Sequence, residues 1–155
     1  MYGQTNCFVL PEATYGLYEM INNEYFIISE RAARNFAYQE LTPEFGKYTK
    51  LADVKGTELC GKALKAPLSQ YEKVYALPMM TISMEKGTGI VTSVPSDSPD
   101  DWATLRDLQQ KEPLRAKFGL TDEQVLPFEP VPIINIPDFG DLTAVFLVDE
   151  LKIKS

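Results

Sequence analysis

Polar Gln4-Thr5-Asn6 passes into the apolar run Cys7–Leu10, and Gln4–Leu10 reads as a strand stopped by Pro11. Thr14–Ile21 and Glu24–Ile28 read as strands on either side of Asn22-Asn23. Asparagine tolerates positive φ, so this pair predicts a tight hairpin. At Ser29 the pattern changes. In SERAARNFAYQE, Ala32, Ala33, Phe36 and Ala37 share one helical face, and Ser29 is placed to cap it. Thr42-Pro43 closes that helix. From Tyr48 to Leu68 the pattern predicts short strands broken by Gly56, Gly61 and Pro67. Val74–Leu77 and Met79–Met84 read as strands bent at Pro78, Glu85–Gly89 as a glycine turn, and Ile90–Val94 as a further strand rich in β-branched residues.

Ser98-Pro99-Asp100-Asp101 is a strong helix start. Serine is a preferred cap, proline fits the first helical position, and acidic groups suit the positive end of the dipole. This helix is expected to end near Gln110, before Pro113. Thr121-Asp122-Glu123-Gln124 reads as a capping box ahead of a short turn. The apolar run VLPFEPVPIINIP carries four prolines after Leu126. Proline cannot donate to a ladder, so the run predicts an edge strand or a strap over the surface. Asp141 opens a last helix, with Ala144, Val145, Leu147, Val148 and Leu151 at helical spacing. Many short strands and few helices predict an α+β fold, a β-barrel-like core with peripheral helices. With no repeat or linker, residues 1–155 read as a single domain.

The 155 residues suffice for one domain with a core, and the apolar fraction of 45% is that of an ordinary globular chain. No apolar run has the length of a membrane span and the first residues do not form a signal peptide, which predicts a cytoplasmic location. Cys7 and Cys60 lie among apolar neighbours and read as reduced thiols. The net charge of −7 argues against an independent nucleic-acid-binding module, but not against a domain that receives only the tip of a nucleic acid held elsewhere.

The most informative count is that of histidine, which is zero. It removes Ser-His and Cys-His nucleophile pairs and any metal site built on imidazole. Chemistry here must run on carboxylates, hydroxyls, backbone groups, a lysine or the substrate itself. Asp101 stands out: in the first helical turn its carboxylate is expected near free N–H groups that keep it ionised, suited to a substrate ammonium. It also completes a Ser-x-x-Asp capping box, and on residues alone that plainer role is favoured. Asp97, Asp100 and Asp101 invite a carboxylate-dyad or metal reading, but Asp100 and Asp101 point about 100° apart on a helix, and no metal site is expected. Gly87-Thr88-Gly89 fits a close backbone approach to a ligand or a plain turn. Met79, Met80 and Met84 read as core filling or an adaptable pocket. Lys111, Arg115 and Lys117 form a local basic patch, read as a phosphate contact or a solvated helical face.

The order of these signals is specific. GTGIV, a proline that ends the strand, then Asp-Asp at a helix start, resembles the editing domain (the large connective polypeptide) inserted in class I leucyl-, isoleucyl- and valyl-tRNA synthetases. MYGQTN, VPSDSPDDWATLRDL, VLPFEPVPIINIP and AVFLVDELKIKS resemble the leucyl enzyme of the eukaryotic cytosolic and archaeal type. The resemblance covers essentially the whole chain. It implies proofreading: hydrolysis of the ester bond of mischarged aminoacyl-tRNA(Leu) by the editing domain of a leucine–tRNA ligase. Such a second sieve is needed because one methylene is worth only about 1–3 kcal/mol of discrimination.

By that resemblance Asp101 grips the α-ammonium of the misattached amino acid. Thr92 and Val94 line its pocket. Thr81, Ile82, Ser83 and Lys86 match the stretch that receives the terminal adenosine, with Thr88 nearby. The implied partners are the CCA end of tRNA-Leu, oxaborole-type inhibitors that trap the adenosine diol, and the rest of the synthetase. No cofactor is implied for this domain, while ATP and magnesium belong to the full enzyme. Signatures of the aminoacylation site are absent from the sequence. The resemblance also implies a threonine-rich segment ahead of Met1, so that the chain reads as a piece of a longer protein. The alternatives are an isoleucyl or valyl editing domain and a ligand-binding barrel without chemistry.

Overall fold

Asparagine's tolerance of left-handed backbone shapes the first hairpin. In the computed structural model, which describes residues 1–153, Asn22 and Asn23 both take φ of 59°. They lie in a single 3₁₀ turn, Ile21–Asn23. In chain order the strands are β1 (Asn6–Val9), β2 (Thr14–Glu19), β3 (Tyr25–Ile28), β4 (Lys50–Lys55), β5 (Ala63–Lys65), β6 (Lys73–Pro78) and β7 (Ile90–Ser93). The helices are α1 (Glu30–Ala37), α2 (Gly56–Leu59), α3 (Pro99–Gln110), α4 (Glu112–Lys117), α5 (Asp122–Val125) and α6 (Thr143–Glu150). These elements group into two compact units. One comprises Met1–Phe8, Cys60–Leu77 and Thr92–Ser155, the other Val9–Leu59 and Pro78–Val91.

The second of these units is built on the sheet β3-β2-β4, with β2 antiparallel to both neighbours. The register runs from Gly16↔Ile28 to Glu19↔Tyr25 on one side and from Thr14↔Lys55 to Tyr18↔Lys50 on the other. α1 begins where expected: Ser29 Oγ accepts the Ala32 N–H at 3.2 Å. Its buried face sets Ala32 and Ala33 against Tyr18, Met20 and Ile28, with Phe26, Phe36 and Tyr48 at the rim. Full burial of a side chain such as Ile28 contributes about 1.5–3 kcal/mol. At α2, Gly56 donates its N–H to Ala13 O at 2.8 Å, and a Cβ there would overlap the Leu10 carbonyl.

The other sheet has the strand order β5-β6-β1-β7, and the first unit holds β5, most of β6 and β1, the Thr92–Ser93 end of β7, and helices α3 to α6. Phe128, from the proline-rich segment, packs against Ala66 and Val74 and meets the rings of Tyr71 and Tyr75 edge-on at 5.1 and 5.9 Å. The Thr121 start behaves as its sequence predicts: Gln124 Oε1 accepts the Thr121 N–H at 2.9 Å, and Gln124 Nε2 donates to Gly61 O at 3.1 Å. α6 buries Ala144 and Val148.

Several expectations are corrected. The fold is mixed α and β as expected, and its two sheets are open ladders, so closure into a barrel is not shown. Met79–Met84 is turn and irregular backbone after Pro78 instead of a strand. The 126–137 run, short of N–H donors, is a strap whose one pairing is a bridge between Ile136 and Gly140. α3 ends at Gln110 as expected, before Pro113, which takes the first turn of the following α4, where its missing N–H costs nothing. The basic patch is also dissolved. Arg115 is buried, its Nη1 donating to Leu108 O and Gln109 O, both at 2.8 Å, while Lys111 pairs with Asp107 at 2.6 Å. No helix among the described residues is long and apolar enough to cross a membrane.

Candidate functional site

The sequence-predicted residues fall into two groups, one in each unit. Thr92, Val94 and Asp101 gather where β7 passes into α3. β-branched side chains hold the strand extended to Ser93; Pro95 and the turn that follows redirect the chain. In that turn Asp97 N–H and Ser98 N–H both donate to Val94 O, at 3.2 and 3.0 Å. Ala144 N–H donates to Ser96 O at 3.0 Å, which ties the turn to the start of α6.

Asp101 is 6% exposed, and its carboxylate does not cap its own helix. Oδ2 accepts the Val94 N–H at 2.8 Å, seven residues back, and the Ser98 hydroxyl also bonds the carboxylate. Ser98 therefore gives α3 no side-chain cap, and the capping-box role is not formed. Burial pushes the Asp101 carboxyl above its ordinary 3.8; the Val94 N–H and the Ser98 hydroxyl hold it down less strongly, and the charge of Asp100 adds to the rise. The result is a buried acid, held by Val94 and Ser98, whose ionised form gains if a cation arrives. Val94 is buried beside it and Thr92 is exposed. Asp97 takes a different role, accepting the Ser96 hydroxyl at 2.8 Å. The three aspartates thus do not form a dyad, and among the described residues no cluster of acidic, cysteine or histidine side chains is arranged to hold a metal ion.

The second group, Thr81, Ile82, Ser83, Lys86 and Thr88, lies in the turns before β7. Ile82 points inward and is 9% exposed, whereas Thr81, Ser83 and Lys86 face solvent. Ser83 organises the turn: its Oγ accepts the Glu85 N–H at 3.2 Å and its carbonyl the Lys86 N–H at 3.4 Å. Thr88 Oγ1 donates to Ile90 O at 3.0 Å and accepts the Ile90 N–H at 3.3 Å, while Thr88 O accepts the Ser29 N–H at 2.8 Å. The methionines split: Met79 is buried, Met80 is 54% exposed, and Met84 lies over Gly89.

Sequence reading missed two features. One is a set of buried polar atoms without a hydrogen-bond partner: Asn6 Nδ2, Ser93 Oγ and Trp102 Nε1. Ser93 and Trp102 adjoin Val94 and Asp101 in the chain, and Asn6 follows Thr5, whose N–H donates to Ser93 O at 3.2 Å. Burial is what makes them notable, and periodicity does not report it at a strand end. The other is Tyr15, whose hydroxyl bonds Gly89 across 74 residues of sequence. Both thiols are free, and burial raises them: Cys7 upward, Cys60 to about 11.

With these features in place, the chain was compared with known proteins. No protein-family model matches it. It is similar along its whole length to "Leucine--tRNA ligase, cytoplasmic" of Pongo abelii, at 54% identity, and of Dictyostelium discoideum, at 56%. It spans only 13% and 15% of those proteins. Among solved structures, the P. falciparum cytosolic leucyl-tRNA synthetase editing domain superposes with a TM-score of 0.92 at 30% identity, covering 99% of this chain and 57% of that one.

Proposed function

This chain is homologous over its whole length to the editing domain of cytosolic leucyl-tRNA synthetases, and from that premise we propose that it removes wrongly attached amino acids from tRNA-Leu. The observation that carries the reading is the superposition of 99% of the chain on a solved editing domain. The chain acts as one editing domain of a cytosolic leucine–tRNA ligase, and the ligase's ATP and magnesium serve a charging reaction carried out elsewhere in the protein.

Asp101 binds the α-ammonium of the misattached amino acid. Its burial supports this: a cation beside a desolvated carboxylate gains far more than one beside a solvated group. Val94, next to Asp101, and Thr92 on β7 form the wall that admits smaller or differently branched side chains and excludes leucine. Thr81, Ile82, Ser83, Lys86 and Thr88 receive the terminal adenosine of the CCA end, whose diol an oxaborole would trap there. Water attacks the ester carbonyl, the bond from that carbon to the ribose oxygen breaks, and the ribose oxygen takes a proton. The products are a free amino acid and an uncharged tRNA. This chain supplies no imidazole as general base, and positioned water, the neighbouring ribose hydroxyl and fixed backbone dipoles supply the rate.

The test is hydrolysis of mischarged tRNA-Leu by the intact synthetase. Asp101→Ala is expected to abolish deacylation and leave leucine charging intact. Near-normal hydrolysis by that variant would sink the role of Asp101. Enlarging Val94 to Phe or shrinking it to Ala is expected to change which amino acids are removed. An unchanged product spectrum would place the sieve elsewhere.

A further inference from the structure

Tyr15 is fully buried on β2, and its hydroxyl sits between two backbone groups distant in sequence. It donates to Gly89 O at 2.6 Å and accepts the Leu10 N–H at 2.9 Å. The ring completes the contact: Gly89 has φ of +77°, and a Cβ there would lie 3.1 Å from Tyr15 Cε1 and 2.8 Å from Met84 Sδ. The inner side of the glycine turn is therefore pinned at two successive carbonyls, Thr88 O by the Ser29 N–H and Gly89 O by Tyr15. Its outer side is open. Glu85, Lys86 and Gly87 are exposed, and nothing lies within 4 Å of where a Gly87 Cβ would be.

A turn pinned inside and bare outside is suited to present its outward groups in one conformation. Glycines at 87 and 89 make this segment free to move unless something holds it, because both residues take positive φ and neither carries a side chain to pack. We propose that Tyr15 is a positioning residue for substrate binding: its hydroxyl fixes the Gly89 peptide, and with it the outward face of Lys86–Thr88 that meets the terminal nucleoside. This rests on the editing reading above, and it assigns no part in bond breaking to Tyr15.

Tyr15→Phe keeps the ring and removes the hydroxyl, leaving Gly89 O and Leu10 N–H buried without that partner. In the intact synthetase, two measurements are paired. Amide hydrogen exchange in peptides spanning 83–91 is expected to accelerate while β2 and β4 keep their protection. KM for mischarged tRNA-Leu is expected to rise about two- to tenfold, the equivalent of one hydrogen bond, with kcat little changed. Ile28→Val, in the core of the same unit, serves as a control: it lowers thermal stability without altering KM. Unchanged exchange in the turn overturns the pin. Faster exchange with an unchanged KM, or a fall in kcat alone, overturns the positioning role. If Asp101→Ala hydrolyses mischarged tRNA normally, the editing reading fails and the substrate role falls with it, while the exchange result still decides whether Tyr15 holds the turn.

Discussion

Replacing Asp101 by Asn and, separately, by Ala divides the charge of this side chain from its hydrogen bond. Asn keeps an oxygen for the Val94 N–H, which now donates to Asp101 Oδ2 at 2.8 Å. Ala leaves that buried N–H without an acceptor, at a cost of about 1–3 kcal/mol. Removing the charge acts in the opposite direction. The folded carboxyl titrates above 3.8, chiefly because it is buried, so the folded state binds the proton more tightly than the unfolded chain. Its favourable contribution is fully present below 3.8 and is lost as pH rises through the raised folded value. At neutral pH, Asp101→Asn is therefore expected to be at least as stable as the parent, and Asp101→Ala less stable than Asn by about 1–3 kcal/mol. Each kcal/mol is about 2–4 °C in thermal midpoint for a chain of this length. Thermal unfolding followed by circular dichroism from acid to neutral pH is the assay, with the gap between Asn and parent widening as pH rises. Both variants are expected to lose deacylation by at least about tenfold, the weight of one charged contact. The reasoning is refuted if Asn is less stable than Ala at neutral pH, or if the gap between Asn and parent does not change with pH.

Four further outcomes are expected. Arg115→Met removes a buried and a partly buried bond to the last carbonyls of α3 and lowers stability by about 2–3 kcal/mol in denaturant titration. Asp122→Asn, whose side chain is 67% exposed, costs under about 1 kcal/mol by the same measurement. Gly56→Ala drives a Cβ into the Leu10 carbonyl, where neither backbone can yield, so a loss of about 3 kcal/mol or failure to fold is expected from expression and unfolding measurements. The Cys60 thiol, raised to about 11, is expected to resist alkylation at neutral pH in the folded protein and to react faster as pH rises, followed by mass spectrometry.

Features written in adjacent residues were legible in the sequence. Asn22-Asn23, Ser29 before a periodic run, and Thr121 with Gln124 each act within one turn of backbone, so their chemistry depends on little else. Features decided by depth were not. Arg115 looks like a solvated cation until its partners, six and seven residues away, bury it. Asp101 shows the divide within one side chain. Its place at a helix start was readable, but its bond back to Val94 and its reluctance to ionise come from the loop folding over it. Tyr15 was beyond reach, because the pairing with Gly89 is set by tertiary approach alone.

Trp102 is the sole tryptophan of the chain, one residue from Asp101, partly buried and with its indole N–H unpartnered. Such an indole is a chromophore already installed at the proposed binding site. Excited at the red edge, where tyrosine does not absorb, the chain emits from this one ring. Its emission maximum and quenching report local polarity and solvent access without any label. Occupancy beside Asp101 is thereby readable as light, in a chain whose other aromatic residues are spectroscopically silent at that wavelength.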